Sequence, residues 1–182
     1  EKLLTDGSPY VRGWGIQLAL ETSRAHVPQP LVERLQKLAL SDPSPVVRLY
    51  IASALQQIEP EQRWEVLQAL TTHPTDAQDH NLPLMYWYAA EPLADIDAER
   101  ALALAMTAGE AIPLFREFML RRIGSKDAAQ SLAVLVRGLG NAPQPQLQLT
   151  FLAAIRAALK GQRQVAAPAD WSRIYAKLEQ ST

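Results

Sequence analysis

The chain has 182 residues, a formal net charge of −1 and a pI near 6.4. Hydrophobic residues make up 48% and charged residues 20%, a balance that excludes a disordered chain and leaves room for a substantial core. Near-neutral charge argues against the basic footprint of a nucleic-acid binder, and no apolar run reaches the ~20 residues that span a bilayer. With no cysteine, these residues hold no disulfide, thiolate metal site or covalent haem attachment.

The chain opens on Glu1-Lys2-Leu3-Leu4, which reads as the tail of a helix begun earlier, so a piece of a larger protein is expected. Five prolines then mark the starts of five similar helices: Pro9, Pro45, Pro83, Pro113 and Pro145, spaced 36, 38, 30 and 32 residues apart. Counting from each proline, position +2 is apolar (Val11, Val47, Met85, Phe115, Leu147). Position +5 is Trp14, Tyr50, Tyr88, Phe118 and Thr150, and position +10 is Ala19, Leu55, Leu93, Ile123 and Ile155. A register shared by five copies at this period is the mark of a helical repeat array, because one helical hairpin cannot hide both of its apolar sides and must stack on neighbours.

The two clearest copies are Leu4-Thr-Asp-Gly-Ser-Pro-Tyr-Val-Arg12 and Leu40-Ser-Asp-Pro-Ser-Pro-Val-Val-Arg48. In both, Asp with Gly or Pro closes a turn, Ser is placed to cap the next helix, and proline takes a first-turn position where its missing N–H costs nothing. Partner helices of 3.6-residue period are predicted at Leu31–Leu40, Glu61–Thr72, Asp97–Ala108, Lys126–Leu139 and Pro168–Glu179. The boundaries are His26-Val-Pro-Gln-Pro30, Glu59-Pro60 and Gly138-Leu-Gly140, the last read as a helix C-cap. The expected fold is an all-α solenoid of about five hairpins, ten helices, in a single domain over residues 1–182.

The string Asp-Pro-Ser-Pro-Val-Val-Arg48, followed by Ile51, Ala52 and Leu55, resembles the HEAT repeat, although Gly13 and Gly15 depart from its pattern in the first copy. The later three copies keep only the proline and apolar spacing. A more specific resemblance lies in Asp79-His-Asn-Leu-Pro-Leu-Met-Tyr-Trp-Tyr-Ala-Ala-Glu-Pro-Leu93 with Phe118-Met-Leu-Arg-Arg-Ile123. These segments are similar to the HEAT-repeat region of large membrane-bound dehydrogenase or haem-binding proteins of planctomycete-type bacteria. In that family a sugar-dehydrogenase-like propeller precedes the repeats and a c-type cytochrome domain follows them. The resemblance implies a non-catalytic scaffold between those domains in an exported, periplasmic or otherwise extracytoplasmic protein. It implies neighbouring domains of the same polypeptide, or another protein, as partners. Haem c would then sit elsewhere in the parent protein, with no cofactor, metal or catalytic residue in these repeats. A second resemblance, of fold only, is to HEAT-like alkylation-repair DNA glycosylases; it would need arginines, aromatics and a carboxylate lining one groove.

The candidate contact residues are Arg12, Arg48, Arg116, Tyr86, Trp87 and Tyr88. The three arginines share position +3, so stacking aligns them in a stripe. Such a stripe either presents charge to an acidic partner or phosphate backbone, or forms a ladder with turn aspartates such as Asp6 and Asp42; the net charge favours the ladder. Tyr86-Trp87-Tyr88 point three ways around a helix, so at least one is expected at the surface as a partner anchor and the others in the core. Glu91 in that helix needs a partner, Arg121 or Arg122, and Pro92 is expected to kink or end it. His73, Asp76, Asp79 and His80 are the one concentration of metal-capable side chains, but their spacing matches no recognised ligand set, and Asp79 or Asn81 is equally suited to capping the helix at Pro83.

Overall fold

Proline at the first turn and an Asp-bearing loop before it dictate where each helix begins. The computed structural model describes residues 2–21, 27–125 and 128–180, and its regular elements are helices throughout. The proline-started helices are α1 (Pro9–Glu21), α3 (Pro45–Leu55), α5 (Leu82–Ala90), α8 (Pro113–Gly124) and α10 (Pro145–Ala158). They stack in that order as one layer, α1 on α3, α3 on α5, α5 on α8 and α8 on α10. The partner layer holds α2 (Gln29–Ser41), α4 (Trp64–Leu70), α7 (Ala98–Ala111), α9 (Ala128–Asn141) and α11 (Trp171–Glu179). Each hairpin closes between layers, as in α2 against α3, α7 against α8 and α9 against α10. This is the expected stacked array. The predicted partner helices overlap these five, but α4 begins only at Trp64 and ends at Leu70, α11 begins at Trp171, and Asp97 lies outside α7 as its cap, its carboxylate accepting from Arg100 N. The predicted start at Lys126 lies outside the described residues, as do His26 in the first boundary and Glu1 in the opening segment; Lys2–Thr5 form a 3-10 turn.

The core runs the length of the array between the layers. Tyr86, Phe115, Phe151, Ile16, Leu35, Ile51 and Leu67 are among its fully buried side chains. Burying each such side chain contributes about 1.5–3 kcal/mol, and neighbouring repeats supply the surfaces that cover them. At Glu91-Pro92 the fifth helix stops as expected: α5 ends at Ala90 and the single turn α6 (Leu93–Ile96) follows. Three-ten turns at Pro60–Gln62 and Pro74–Gln78 add to this irregular middle. There the partner layer is tied by side chains, the Arg100 guanidinium lying 4.4 Å over the Trp64 ring and pairing with Glu65 at 2.7 Å.

Two details of the sequence reading are corrected. Ser44 makes no side-chain cap bond; Asp42 Oδ1 instead accepts from Ser44 N at 2.9 Å, and Asp6 Oδ1 from Ser8 N at 2.8 Å. The aspartate two residues upstream wins because it closes the turn and the helix entry together. Gly138 and Gly140 are no C-cap, since α9 continues through both to Asn141. They are sites of close approach: a Cβ on Gly138 would lie 2.5 Å from Phe151 Cε1, and one on Gly140 2.8 Å from Ile174 Cδ1. Gly13 and Gly15, the departures from the repeat pattern, have the same cause: a Cβ on Gly13 would lie 2.6 Å from Tyr50 Cδ2, and one on Gly15 2.8 Å from Leu3 Cβ.

Gly138→Ala is therefore expected to destabilise by about 1–2 kcal/mol. Overpacking against the buried Phe151 costs about 1–3 kcal/mol and outweighs the ~1 kcal/mol that alanine gains in helix propensity. Gly7→Ala, where a Cβ meets nothing within 4 Å, should leave the urea midpoint unchanged. An unaltered midpoint for Gly138→Ala would refute the close-packing account.

Candidate functional site

The +3 register position is where the fold collects its polar side chains. Arg12 donates from Nε and Nη2 to both oxygens of Asp42 in the following repeat, at 2.7 and 2.9 Å. Arg48 makes the same fork to Asp76, at 2.6 Å on each arm. Each arginine also reaches back six residues to its own turn: Arg12 Nη1 donates to Asp6 O at 2.8 Å, and Arg48 Nη1 to Asp42 O at 2.9 Å. Gln148, at the same step of the last copy, donates in the same way to Ala142 O at 3.0 Å. Arg116 reaches the carboxylate six residues back, Glu110, at 3.5 Å. The stripe is thus a ladder in its first two rungs, where the planar guanidinium of Arg12 or Arg48 ties its own turn to the next, while Arg116 and Gln148 reach only their own turns.

Asp76 is the buried centre of the ladder. Its side chain is 2% exposed and that of Arg48 is 4%. Tyr86, the residue at +3 of α5, replaces the arginine there and donates its hydroxyl to Asp76 Oδ2 at 2.7 Å. Burial first, and then this bond to a carboxylate, push the Tyr86 phenol far above its ordinary range. Arg48 and Tyr86 are consequently interior residues, and the expectation that they contact an outside partner is corrected: the ladder consumes them. Because the folded-state pKa of Tyr86 is raised, its contribution is fully present below the unfolded value of about 10 and is lost as pH climbs beyond it. Urea midpoints measured across that alkaline range should fall more steeply for the wild type than for Tyr86→Phe; parallel curves would refute the coupling.

The remaining candidates separate by exposure. Trp87 is half-buried, its ring meeting Phe118 edge-on with centroids 5.7 Å apart. Tyr88 is 53% exposed. It belongs to a set of large apolar side chains that the proline-helix layer leaves in solvent, with Tyr10 at 64%, Trp14 at 58% and Leu149 at 58%. Beside Tyr50 and Leu49, a groove of about 380 Å³ extends to Gln17, Ser53, Asn81 and Met85. Of the two arginines proposed for Glu91, Arg122 is the partner: its Nε lies 2.7 Å from Glu91 and its Nη2 2.8 Å from Asp95, so one fork straddles the Pro92 break. Arg121 pairs with Glu117 instead.

The His73–His80 turn is dispersed by the fold. His73 Nε2 lies 2.7 Å from Ala39 O, Asp76 faces inward to Arg48, and His80 is exposed. Asp79 Oδ1 accepts from Asn81 N at 2.7 Å and Leu82 N at 2.9 Å, and these two bonds hold its carboxyl below the usual range. Asp79, rather than Asn81, is therefore the cap. Among the described residues no group of three or more His, Cys, Asp or Glu is placed to hold a metal ion, and no helix is long and apolar enough to cross a membrane.

Sequence reading missed two buried polar residues. Asp76 was assigned to the histidine turn, although Arg12 and Asp42 lie 30 apart and Asp76 stands 28 after Arg48, a spacing that could have paired them. Arg63 had no signal at all. It is buried with carbonyls rather than a carboxylate as its hydrogen-bond partners among the described residues, donating from Nε to Ile58 O at 2.7 Å and from Nη1 to Ala89 O at 3.0 Å. Burial dominates there and lowers its pKa below that of a free guanidinium.

The fold and this ladder define an all-α protein of stacked helical hairpins whose polar register holds the repeats together. No family model matches the chain, and neither the curated proteins nor the solved structures include a significant match.

Proposed function

We propose that the chain is a non-catalytic helical-repeat scaffold that binds protein through the exposed aromatic face of its proline-helix layer. The observation that carries this reading is the division of labour along the register. Position +3 is spent on the internal ladder, while Tyr10, Trp14 and Tyr88 stand more than half exposed on a rigid layer. Exposed large aromatics on a pre-ordered surface suit protein contacts, because they offer area at little entropic cost. The resemblance of the Asp79–Leu93 and Phe118–Ile123 segments supplies the partners: a propeller dehydrogenase-like domain and a c-type cytochrome domain of one exported bacterial protein. In that setting the array acts as spacer and docking surface, and the haem belongs to the partner domain.

The ladder also weighs against the alkylation-repair reading. Arg12 and Arg48 are neutralised by Asp42 and Asp76, so the stripe offers duplex DNA little cation to release counterions against. The test is direct. The parent reading frame is expected to encode a propeller upstream and a Cys-x-x-Cys-His segment downstream, and those two domains, expressed separately, should bind this chain with micromolar affinity. Tyr88→Ala should weaken that binding about tenfold without moving the thermal midpoint. Absence of both flanking domains would remove the assignment, and retention on duplex DNA at low salt that fades at high salt would favour the glycosylase-like alternative instead.

A further inference from the structure

The solvent-facing side of a surface helix ordinarily carries charged side chains. In α3 and α5 it does not: over their 11 and 9 residues the one charged side chain is Arg48, buried in the ladder. The next helix of the layer, α8, shows the usual pattern with Arg116, Glu117, Arg121 and Arg122. Both α3 and α5 lie inside the layer, with a proline-started helix packed on each side. What they present outward includes Leu49, Tyr50, Ser53, Met85 and Tyr88. Depletion of charge together with tyrosine and methionine is the composition of an interface core.

The groove of about 380 Å³ across α1, α3 and α5 is the centre of this uncharged window. Leu49, Tyr50 and Met85 give it apolar surface, and Gln17, Ser53 and Asn81 add neutral polar groups. Those polar groups are unengaged. The helical hydroxyls of Ser41, Thr107 and Thr150 fold back onto the carbonyl four residues earlier. Ser53 makes no such bond, and among the described residues the side-chain amides of Gln17 and Asn81 have no hydrogen-bond partner. Asp79 takes the capping role that would otherwise have engaged Asn81.

Given the proline-helix layer as a protein-binding face, the reading on which this assignment rests, we infer that the groove binds an extended, uncharged, proline-rich segment of a partner protein. A helix satisfies its own backbone and would leave the two amides and the hydroxyl unanswered. A polyproline-II segment makes no internal hydrogen bonds, so its carbonyls are free to accept from Gln17, Ser53 and Asn81 while its rings pack on Tyr50 and Met85. Its low conformational freedom limits the entropy lost on binding. A charged side chain in the segment would be desolvated against a groove whose lining holds no counter-charge.

Fluorescence anisotropy on residues 1–182, with a labelled peptide of about ten residues built from proline, valine and glutamine, tests the assignment. The peptide should bind with micromolar affinity. Replacing its glutamines by glutamate, or by lysine, should weaken binding about tenfold in either case. Asn81→Ala and Gln17→Ala should each weaken it about three- to tenfold, the loss of one hydrogen bond. Ser53→Lys should abolish it, with the thermal midpoint unchanged in all three variants. No binding at millimolar peptide, equal binding of neutral and charged peptides, preference for a helical alanine-based peptide, or unchanged affinity in Asn81→Ala and Gln17→Ala would each overturn the assignment. So would a second copy in the groove, seen as a mass that rises with concentration and returns to one chain in Ser53→Lys. If the peptide binds while the propeller and cytochrome domains do not, the groove stands without that choice of partners. If those domains bind, the peptide does not, and Asn81→Ala leaves their affinity unchanged, the groove falls and the scaffold reading stands.

Discussion

Asp76→Asn should cost about 3–5 kcal/mol, the largest effect expected of any polar substitution in this protein. The carboxylate is 2% exposed and holds three donors at once, Nε and Nη2 of Arg48 and the hydroxyl of Tyr86. Asparagine keeps the shape but turns one acceptor into a donor that faces a donor, and it leaves the buried Arg48 charge without its counter-ion. Marginal stabilities of about 5–15 kcal/mol make a loss of this size visible as a large fall in the urea midpoint. A cycle with Arg48→Met separates the two contributions. Removing both partners costs less than removing the carboxylate alone, because a methionine–asparagine pair leaves no stranded charge. A loss under about 1 kcal/mol for Asp76→Asn would show that the triad is not a strong structural tie.

Arg63→Met is expected to destabilise by roughly 2–4 kcal/mol, through a different mechanism. The Arg63 guanidinium bonds to carbonyls instead of a carboxylate, satisfying those of Ile58 and Ala89 and thereby joining the turn before α4 to the last turn of α5. Methionine fills most of the volume but strands two buried acceptors, each of which costs about 1–3 kcal/mol to leave bare. The release of a desolvated charge offsets part of that cost, which places the estimate below the simple sum. Lysine should not rescue the variant, because a single ammonium lacks the planar fork that reaches two carbonyls on different elements. Chemical denaturation of Arg63→Met and Arg63→Lys checks both statements; a lysine variant at wild-type stability would contradict the geometric argument.

Pro9, Pro45, Pro83, Pro113 and Pro145 each sit in the first turn of a helix, where the linear order had placed them. That much was legible because first-turn proline, turn aspartate and the 3.6-residue period are local rules. Each acts within a few residues of the position it governs. The Arg12–Asp42 rung was legible for a related reason: a repeating register makes the neighbour one repeat away predictable. The same logic failed at Arg48, since the turn before α5 has a different length and shape and its acceptor is Asp76, seven residues before Pro83 instead of three.

Composition and periodicity by themselves determined an all-α stacked array, a helix start at each of the five prolines and the break at Glu91-Pro92, and they favoured an aspartate–arginine ladder over an exposed stripe. Only the tertiary structure decided which of three adjacent aromatics faces solvent. Tyr86 is drawn inward by Asp76, Trp87 meets Phe118, and Tyr88 is left exposed. It also decided that Gly138 and Gly140 serve close packing, that Arg63 is buried against two carbonyls, and that the histidine turn is dispersed. The physical reason is common to all of these. A helix period specifies a direction around an axis, but what lies in that direction is set by other elements, such as the Asp76 turn 28 residues from Arg48, and no local rule reports on them.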